Sequence, residues 1–97
     1  MKGLSYIARI DEMKDKYVEE SVKYRLDDLK DYAGMMANRA KLGYYGDAFW
    51  FASQMGSVCD ALEPQPGRLG LGPSDWEELC SRNLRVFFDA VELFHLG

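Results

Sequence analysis

The chain has 97 residues, which is the size of one domain. Apolar residues make up 47% of it and charged residues 29%, a balance that excludes an intrinsically disordered chain. The net charge is -4, and neither half of the chain carries the basic excess of a nucleic-acid-binding domain, so we do not expect direct nucleic-acid binding.

The first predicted element is a helical segment over residues 5–41. Apolar side chains recur there in steps of three and four, which places them on one face of a helix: Val18, Val22, Leu26, Leu29, Ala33, Met36 and Ala40. A second row near the N-terminus lies more than a quarter turn away and contains Tyr6, Ile10, Met13, Tyr17 and Tyr24. Because one straight helix would present the two rows to different neighbours, we expect a short first helix and a long second one, with the break near residues 11–16.

A short turn is predicted to join the second helix to a third one. Gly43 suits the left-handed conformation that commonly follows the last residue of a helix. The third helix extends to about Leu62, and its apolar row is Tyr45, Ala48, Ala52, Met55, Cys59 and Leu62. Small side chains on both helices permit close approach, so the two are expected to form an antiparallel hairpin.

Residues 40–52 carry Leu-Gly, aromatic and alanine positions in an order that resembles part of a tetratricopeptide hairpin. The stretch covers about a seventh of the chain. A single repeat of this kind cannot form a solenoid, because several stacked repeats are needed to bury a continuous core. The resemblance therefore implies a helical hairpin at this place in the chain and no particular function.

Residues 63–73 are rich in proline and glycine, which predicts a loop. Ser74 and Glu77 then have the spacing of a capping box, so the last helix is predicted to begin there and to run nearly to the C-terminus. Its apolar arc is about twice as wide as the roughly 100° that a surface helix buries. The sequence thus predicts one all-α domain over residues 1–97, a small bundle of three or four helices with a central antiparallel helical hairpin.

The sequence contains few residues that suit catalysis or metal binding. His95 is the single histidine and lies two residues from the C-terminus, which is an unsuitable place for a catalytic base. Cys59 and Cys80 lack the spacing of a zinc site or a disulfide framework, so we interpret both as small buried apolar residues. We therefore expect no enzyme, no metal site and no cofactor.

The start of the chain and its hydropathy bear on location. The N-terminus leads into charged residues and not into the apolar core of a signal peptide. No stretch approaches the roughly 18 consecutive apolar residues of a membrane span. On these two grounds we expect a cytoplasmic protein that does not contact a membrane.

The aromatic residues at the start of the third helix are the best candidate for function. One helix face cannot bury all the aromatic side chains between residues 44 and 51, and Trp50 lies nearly opposite the apolar row. An aromatic side chain surrounded by small polar ones is typical of a binding hot spot, although another helix of the same chain is an equally good cover for Trp50. With the apolar flanks of the last helix, the predicted partner-binding residues are Tyr44, Phe49, Trp50, Gln54, Phe88 and Leu93.

These features predict a protein-interaction module, an adaptor or inhibitor that binds a protein complex, with self-association as a further option. In size and acidity the chain resembles the small inhibitors that viruses direct against bacterial defence complexes, among them anti-CRISPR proteins. The alternative is a helical protein that binds a nucleotide or another small molecule between aromatic and cationic side chains. The residues predicted for that alternative are Tyr17, Tyr24, Lys23, Arg25 and Arg68.

Overall fold

The computed structural model describes residues 3–82, and the predicted all-α bundle is confirmed over that range. Its elements are α1 (Gly3–Lys16), α2 (Glu20–Lys41), α3 (Tyr45–Leu62) and α4 (Pro73–Trp76), which continues into a π-helical segment (Glu77–Arg82). None of these helices is long and apolar enough to cross a lipid bilayer. Most of the predicted last helix, with the candidate residues Phe88 and Leu93, lies outside the described residues.

The predicted break in the first helical segment is confirmed, but it falls after Lys16 and not within residues 11–16. The predicted position of the break was too early because it rested on Asp11, which a continuous helix would place among apolar residues. Asp11 does not have to enter the core. Asp11 is exposed and accepts a hydrogen bond from Lys30 at 2.9 Å, and Lys14 pairs with Asp27. The later residue of α1 thus pairs with the earlier residue of α2, which shows that the two helices are antiparallel.

The core is formed by apolar side chains of α1, α2, α3, the loop after α3 and the π-helical segment, whereas α4 contributes no buried residue. Among the predicted members, Val18 is 82% exposed because it lies in the connection before α2. Tyr17, Ala40 and Tyr45 are only partly buried. Tyr24 likewise leaves the N-terminal row, since the break turns α2 and exposes it. The buried residues are Tyr6, Ile10, Met13, Val22, Leu26, Leu29, Ala33, Met36, Ala48, Ala52, Met55, Cys59, Leu62, Leu71, Leu79 and Cys80.

The α2–α3 hairpin is the closest helix pair of the described fold, as the sequence predicted. Gly43 has φ of +84°, a backbone conformation that glycine adopts without steric cost. Its amide donates a hydrogen bond to the carbonyl oxygen of Ala40 at 3.1 Å, and the amide of Tyr44 donates to that of Arg39 at 2.9 Å. These two bonds satisfy carbonyl groups at the end of α2 and reverse the chain within a few residues.

The start of α4 differs from the predicted capping box. Gly72 caps the helix without a side-chain hydrogen bond, and Pro73 occupies the first turn. Proline suits that position, because its fixed φ is already helical and its missing amide hydrogen would have had no partner there. Ser74 therefore lies inside the first turn, two residues after Gly72, which holds the capping position that the sequence suggested for Ser74.

The helix widens after Trp76 where a tyrosine reaches its backbone. Tyr6 of α1 is fully buried, and its hydroxyl group donates a hydrogen bond to the carbonyl oxygen of Leu79 at 2.6 Å. A side chain inserted into the backbone ladder is a known cause of such local widening. Burial raises the pKa of the Tyr6 phenol far above its ordinary value, so the hydroxyl remains a donor at any physiological pH.

Cys59 of α3 and Cys80 of the π-helical segment are joined by a disulfide, with their Cα atoms 5.6 Å apart. Both residues are buried, as predicted, but the expectation of two separate thiols was wrong. The loop between α3 and α4 returns the chain alongside α3, so two residues 21 positions apart face each other at a separation that a disulfide can span. Spacing in the sequence alone carries no sign of this pairing.

Replacing Tyr6 with phenylalanine tests the role of its hydroxyl group. The variant leaves the buried carbonyl group of Leu79 without this donor, and we expect the free energy of unfolding to fall by about 1–2 kcal/mol. Urea denaturation measures this loss. Tyr24→Phe is the matched control, because Tyr24 is 70% exposed, and it should change stability by less than about 0.5 kcal/mol. Equal stability of the two variants would contradict the assignment.

Candidate interaction surface

Five large apolar side chains are exposed within one short stretch of the chain, residues 35–50, which we call the hairpin tip. This stretch contains the last two turns of α2, the connecting turn and the first two turns of α3. The five exposed side chains are Met35, Leu42, Tyr44, Phe49 and Trp50. Because the two helices are antiparallel, the stretch forms one end of the hairpin. The hairpin tip thus concentrates exposed apolar surface that is otherwise scattered over the described residues.

Trp50 is held by a neighbour on its own helix while its indole faces solvent. Its exposed fraction is 55%. The indole stands nearly perpendicular to the ring of Phe51, with 5.1 Å between ring centroids and 80° between planes. Edge-to-face contacts of this kind are favourable beyond the area that they bury. Trp50 therefore combines a supported ring orientation with a large accessible face, which is what a contact residue requires.

Phe51 connects this tryptophan to α2. Its partly buried ring lies 6.3 Å from the ring of Tyr32, and the guanidinium carbon of Arg39 lies 6.0 Å from its centroid. The Arg39 guanidinium also donates a hydrogen bond to the side-chain oxygen of Asn38 at 2.8 Å. Phe51 thus links Trp50 to α2, because it contacts Tyr32 and Arg39 of α2 on one side and Trp50 on the other.

Sequence reasoning missed Tyr32 and Arg39 as parts of this surface. They share a stripe of α2 with two exposed residues of the hairpin tip, in steps of three and four along the chain: Tyr32, Met35, Arg39 and Leu42. This periodicity is visible in the sequence. It escapes notice because the stronger buried row of α2 runs beside it.

The remaining predicted partner-binding residues lie around Trp50 in different directions. Phe49 is 38% exposed, and as the preceding residue of α3 it points about 100° away from Trp50. Gln54 is partly exposed and lies one turn further along α3 on the side of Trp50. Tyr44 precedes the first turn of α3 and is 59% exposed. The structure therefore places Trp50 and Gln54 on one side of α3, turns Phe49 away from them, and leaves Tyr44 at the connecting turn.

The residues predicted for small-molecule binding are divided among three elements. Tyr17 lies in the connection between α1 and α2, while Lys23, Tyr24 and Arg25 are consecutive residues of α2 that point in different directions. Arg68 belongs to the loop after α3, where its guanidinium donates to the carbonyl oxygens of Asp60 at 2.6 Å and Glu63 at 3.3 Å. Arg68 therefore caps the end of α3 with a charge that complements the helix dipole.

Tyr17 instead belongs to a polar cluster at the start of α4. Its hydroxyl group donates to Asp75 Oδ2 at 2.6 Å and accepts from the amide of Gly72 at 2.7 Å. Lys16 Nζ donates to the same carboxylate oxygen at 2.8 Å. These bonds from Lys16 and Tyr17 lower the pKa of Asp75 below its ordinary value of 3.8, whereas burial and the bond to Asp75 raise the pKa of Tyr17.

Within residues 3–82, no group of three or more histidine, cysteine, aspartate or glutamate side chains is arranged to hold a metal ion. Comparison of the chain with protein-family models, with curated proteins and with solved structures found no match. The site is therefore characterised by its own geometry: an exposed aromatic and aliphatic surface on the helical hairpin.

Asp75→Asn tests the polar cluster through pH. A carboxylate with a lowered pKa stabilises the fold above its ordinary pKa, and this contribution is lost as the pH falls through the lower folded value. We expect the variant to be less stable than the wild type by about 1 kcal/mol near neutral pH, since it loses the ion pair with Lys16. The difference should shrink below about pH 3.8, the ordinary pKa of this group.

Chemical denaturation over a series of pH values measures this difference. Asp60→Asn is the control, because Asp60 is an exposed aspartate of α3 and its substitution should leave the pH profile unchanged. A constant difference between wild type and Asp75→Asn at every pH would show that the Asp75 charge does not stabilise the start of α4.

Proposed function

We propose that this protein is a protein-interaction module, an adaptor or inhibitor that binds another protein through the hairpin tip. The observation that carries the proposal is the concentration of exposed apolar side chains between residues 35 and 50, with Trp50 supported edge-on by Phe51. Contiguous exposed apolar surface with a polar surround marks interaction sites in soluble proteins. Tryptophan and tyrosine are also the residues that most often dominate binding energy at such sites.

Local charge indicates the chemistry of the partner. The hairpin tip carries Arg39 and Lys41 against the single acid Asp47, in a chain whose net charge is -4. A partner site that fits this surface is an apolar depression with acidic groups at its rim, because complementary charges at the rim guide association. A small acidic protein that covers such a depression on a larger complex acts as an inhibitor, in keeping with the size resemblance to anti-defence inhibitors.

The small-molecule alternative has weaker support from the same structure. The Tyr17 hydroxyl group is engaged by Asp75 and Gly72, and the Arg68 guanidinium is engaged by two carbonyl groups of its own chain. A ligand that used either group would have to displace these bonds. The exposed aromatic side chains of the hairpin tip need no such rearrangement.

Trp50→Ala tests the contact surface. The tagged wild-type protein is used to capture its partner from the native host, mass spectrometry identifies that partner, and the dissociation constant is measured with both proteins purified. We expect the variant to bind at least about 30-fold more weakly, the loss typical of a hot-spot residue. The melting temperature should be nearly unchanged, since the substituted side chain is 55% exposed.

Tyr24→Ala is the matched control for this measurement. Tyr24 is also an exposed aromatic residue, but it lies near the start of α2, at the other end of the hairpin. Its substitution should leave the dissociation constant unchanged. If Trp50→Ala binds as tightly as wild type, or if Tyr24→Ala weakens binding equally, the hairpin tip is not the interface.

Lys41→Glu tests the expected acidic rim of the partner. Reversal of an exposed rim charge should slow association and reduce the dependence of the association rate on salt, with a smaller effect on dissociation. Stopped-flow or surface-based kinetics at two ionic strengths measures both rates. Lys23→Glu makes the same charge change near the other end of α2 and controls for net charge. Equal effects of the two variants would contradict a local electrostatic contact.

A further inference from the structure

We propose that Cys59 and Cys80 form a redox-responsive latch that fixes the π-helical segment to α3. The inference is independent of the proposed binding function, because the latch lies in the core and the hairpin tip does not contain it. It rests on the position of the bond in the fold: the disulfide joins α3 to the π-helical segment that follows the loop and α4.

Noncovalent contacts also hold α4 and the π-helical segment: Arg9 donates to Glu78 at 2.9 Å, and Lys16 and Tyr17 both donate to Asp75. The indole N–H of Trp76 donates to the carbonyl oxygen of Cys59 at 2.8 Å, beside the disulfide. The amide of Leu71 donates to the carbonyl oxygen of Leu62 at 3.0 Å, and the Tyr6 hydroxyl group donates to that of Leu79. The covalent bond thus adds to these hydrogen bonds and to the burial of Leu71 and Leu79.

Residue 70 explains why the loop returns so tightly against α3. A Cβ atom at Gly70 would lie 2.7 Å from the carbonyl oxygen of Leu62, so only glycine fits this approach. The loop therefore delivers α4 to a fixed position beside the end of α3. This close approach helps to bring Cys80 opposite Cys59.

The latch has two states, the dithiol and the disulfide. Oxidation by a small-molecule disulfide such as oxidised glutathione proceeds by two thiol–disulfide exchanges. The first forms a mixed disulfide and releases one glutathione thiol; the second forms the Cys59–Cys80 bond and releases another. The two protein thiols lose two electrons and two protons in total, and the oxidised glutathione gains them.

Burial of both sulfur atoms controls the exchange. Cys59 is 3% exposed and Cys80 is 6% exposed, so an attacking thiolate reaches them only when the π-helical segment opens locally. Reduction in turn removes the cross-link and makes that opening more frequent. The redox state thus determines how firmly residues 73–82 are held, while α1 and α2 keep their own contacts.

The test compares the full-length protein with and without a strong reductant. We expect protein purified without reductant to resist alkylation at both cysteines under denaturing conditions and to be lighter by two hydrogen atoms than the reduced form. The reductant should lower the melting temperature by about 10 °C or more. Hydrogen exchange should accelerate chiefly in residues 73–82.

Cys59→Ala/Cys80→Ala is the control, because it lacks both sulfur atoms and should melt at the same temperature with and without reductant. Alkylation of both cysteines in unreduced protein would overturn the proposal. So would an unchanged melting temperature of the wild type on reduction, or an acceleration of exchange spread equally over α1, α2 and residues 73–82, which would indicate global and not local loosening.

Discussion

The close packing of α2 against α3 through small side chains is the constraint on which the rest of this fold depends. Ala33 of α2 and Ala48 and Ala52 of α3 are almost completely buried. Such small residues let two helix backbones approach closely, but they leave no room for aromatic rings between them. The aromatic residues that neighbour these alanines in sequence are therefore displaced to the edges of the hairpin. Phe51 reaches Tyr32 along one edge, and Trp50 lies beyond it in solvent.

The two ends of the hairpin are consequently closed in different ways. Near the end of α3, polar groups complete the packing: Tyr17 bonds Asp75 and Gly72, and Arg68 caps the helix carbonyls. At the hairpin tip, by contrast, the surface consists of large apolar side chains with few charges. The first arrangement stabilises the fold of the isolated chain. The second gives the chain no comparable stabilisation, which is why we propose it as the binding surface.

Helix positions followed from the sequence because the apolar rows of α2 and α3 repeat in steps of three and four, and Gly43 marks the turn between them. The rows also identified most of the core, although Tyr17, Ala40 and Tyr45 are only partly buried. Val18 and Tyr24 are exposed, because the exact break between α1 and α2 decides which way these side chains point. Periodicity cannot locate that break, since an acid such as Asp11 can be accommodated by an ion pair with another helix. Local signals failed again at Ser74, where Pro73 determines the helix start.

Contacts between distant residues were beyond the reach of sequence patterns. The Cys59–Cys80 bond and the hydrogen bond from Tyr6 to Leu79 depend on how the loop returns α4 to the bundle, which no spacing rule encodes. The exposure of Trp50 was one of two alternatives that helical geometry left open. In the structure, the ring of Phe51 contacts Tyr32 of α2, and Trp50 contacts Phe51 while it stays 55% exposed.

The most direct test of this account is the fluorescence of Trp50 in the isolated protein. Trp50 and Trp76 are the two tryptophans of the chain, so Trp76→Phe leaves the first as the single indole reporter. We expect emission close to that of tryptophan in water and efficient quenching by acrylamide at all protein concentrations. Blue-shifted emission that resists the quencher would mean that Trp50 is covered within the protein itself, and the assignment of the hairpin tip as a free binding surface would be wrong.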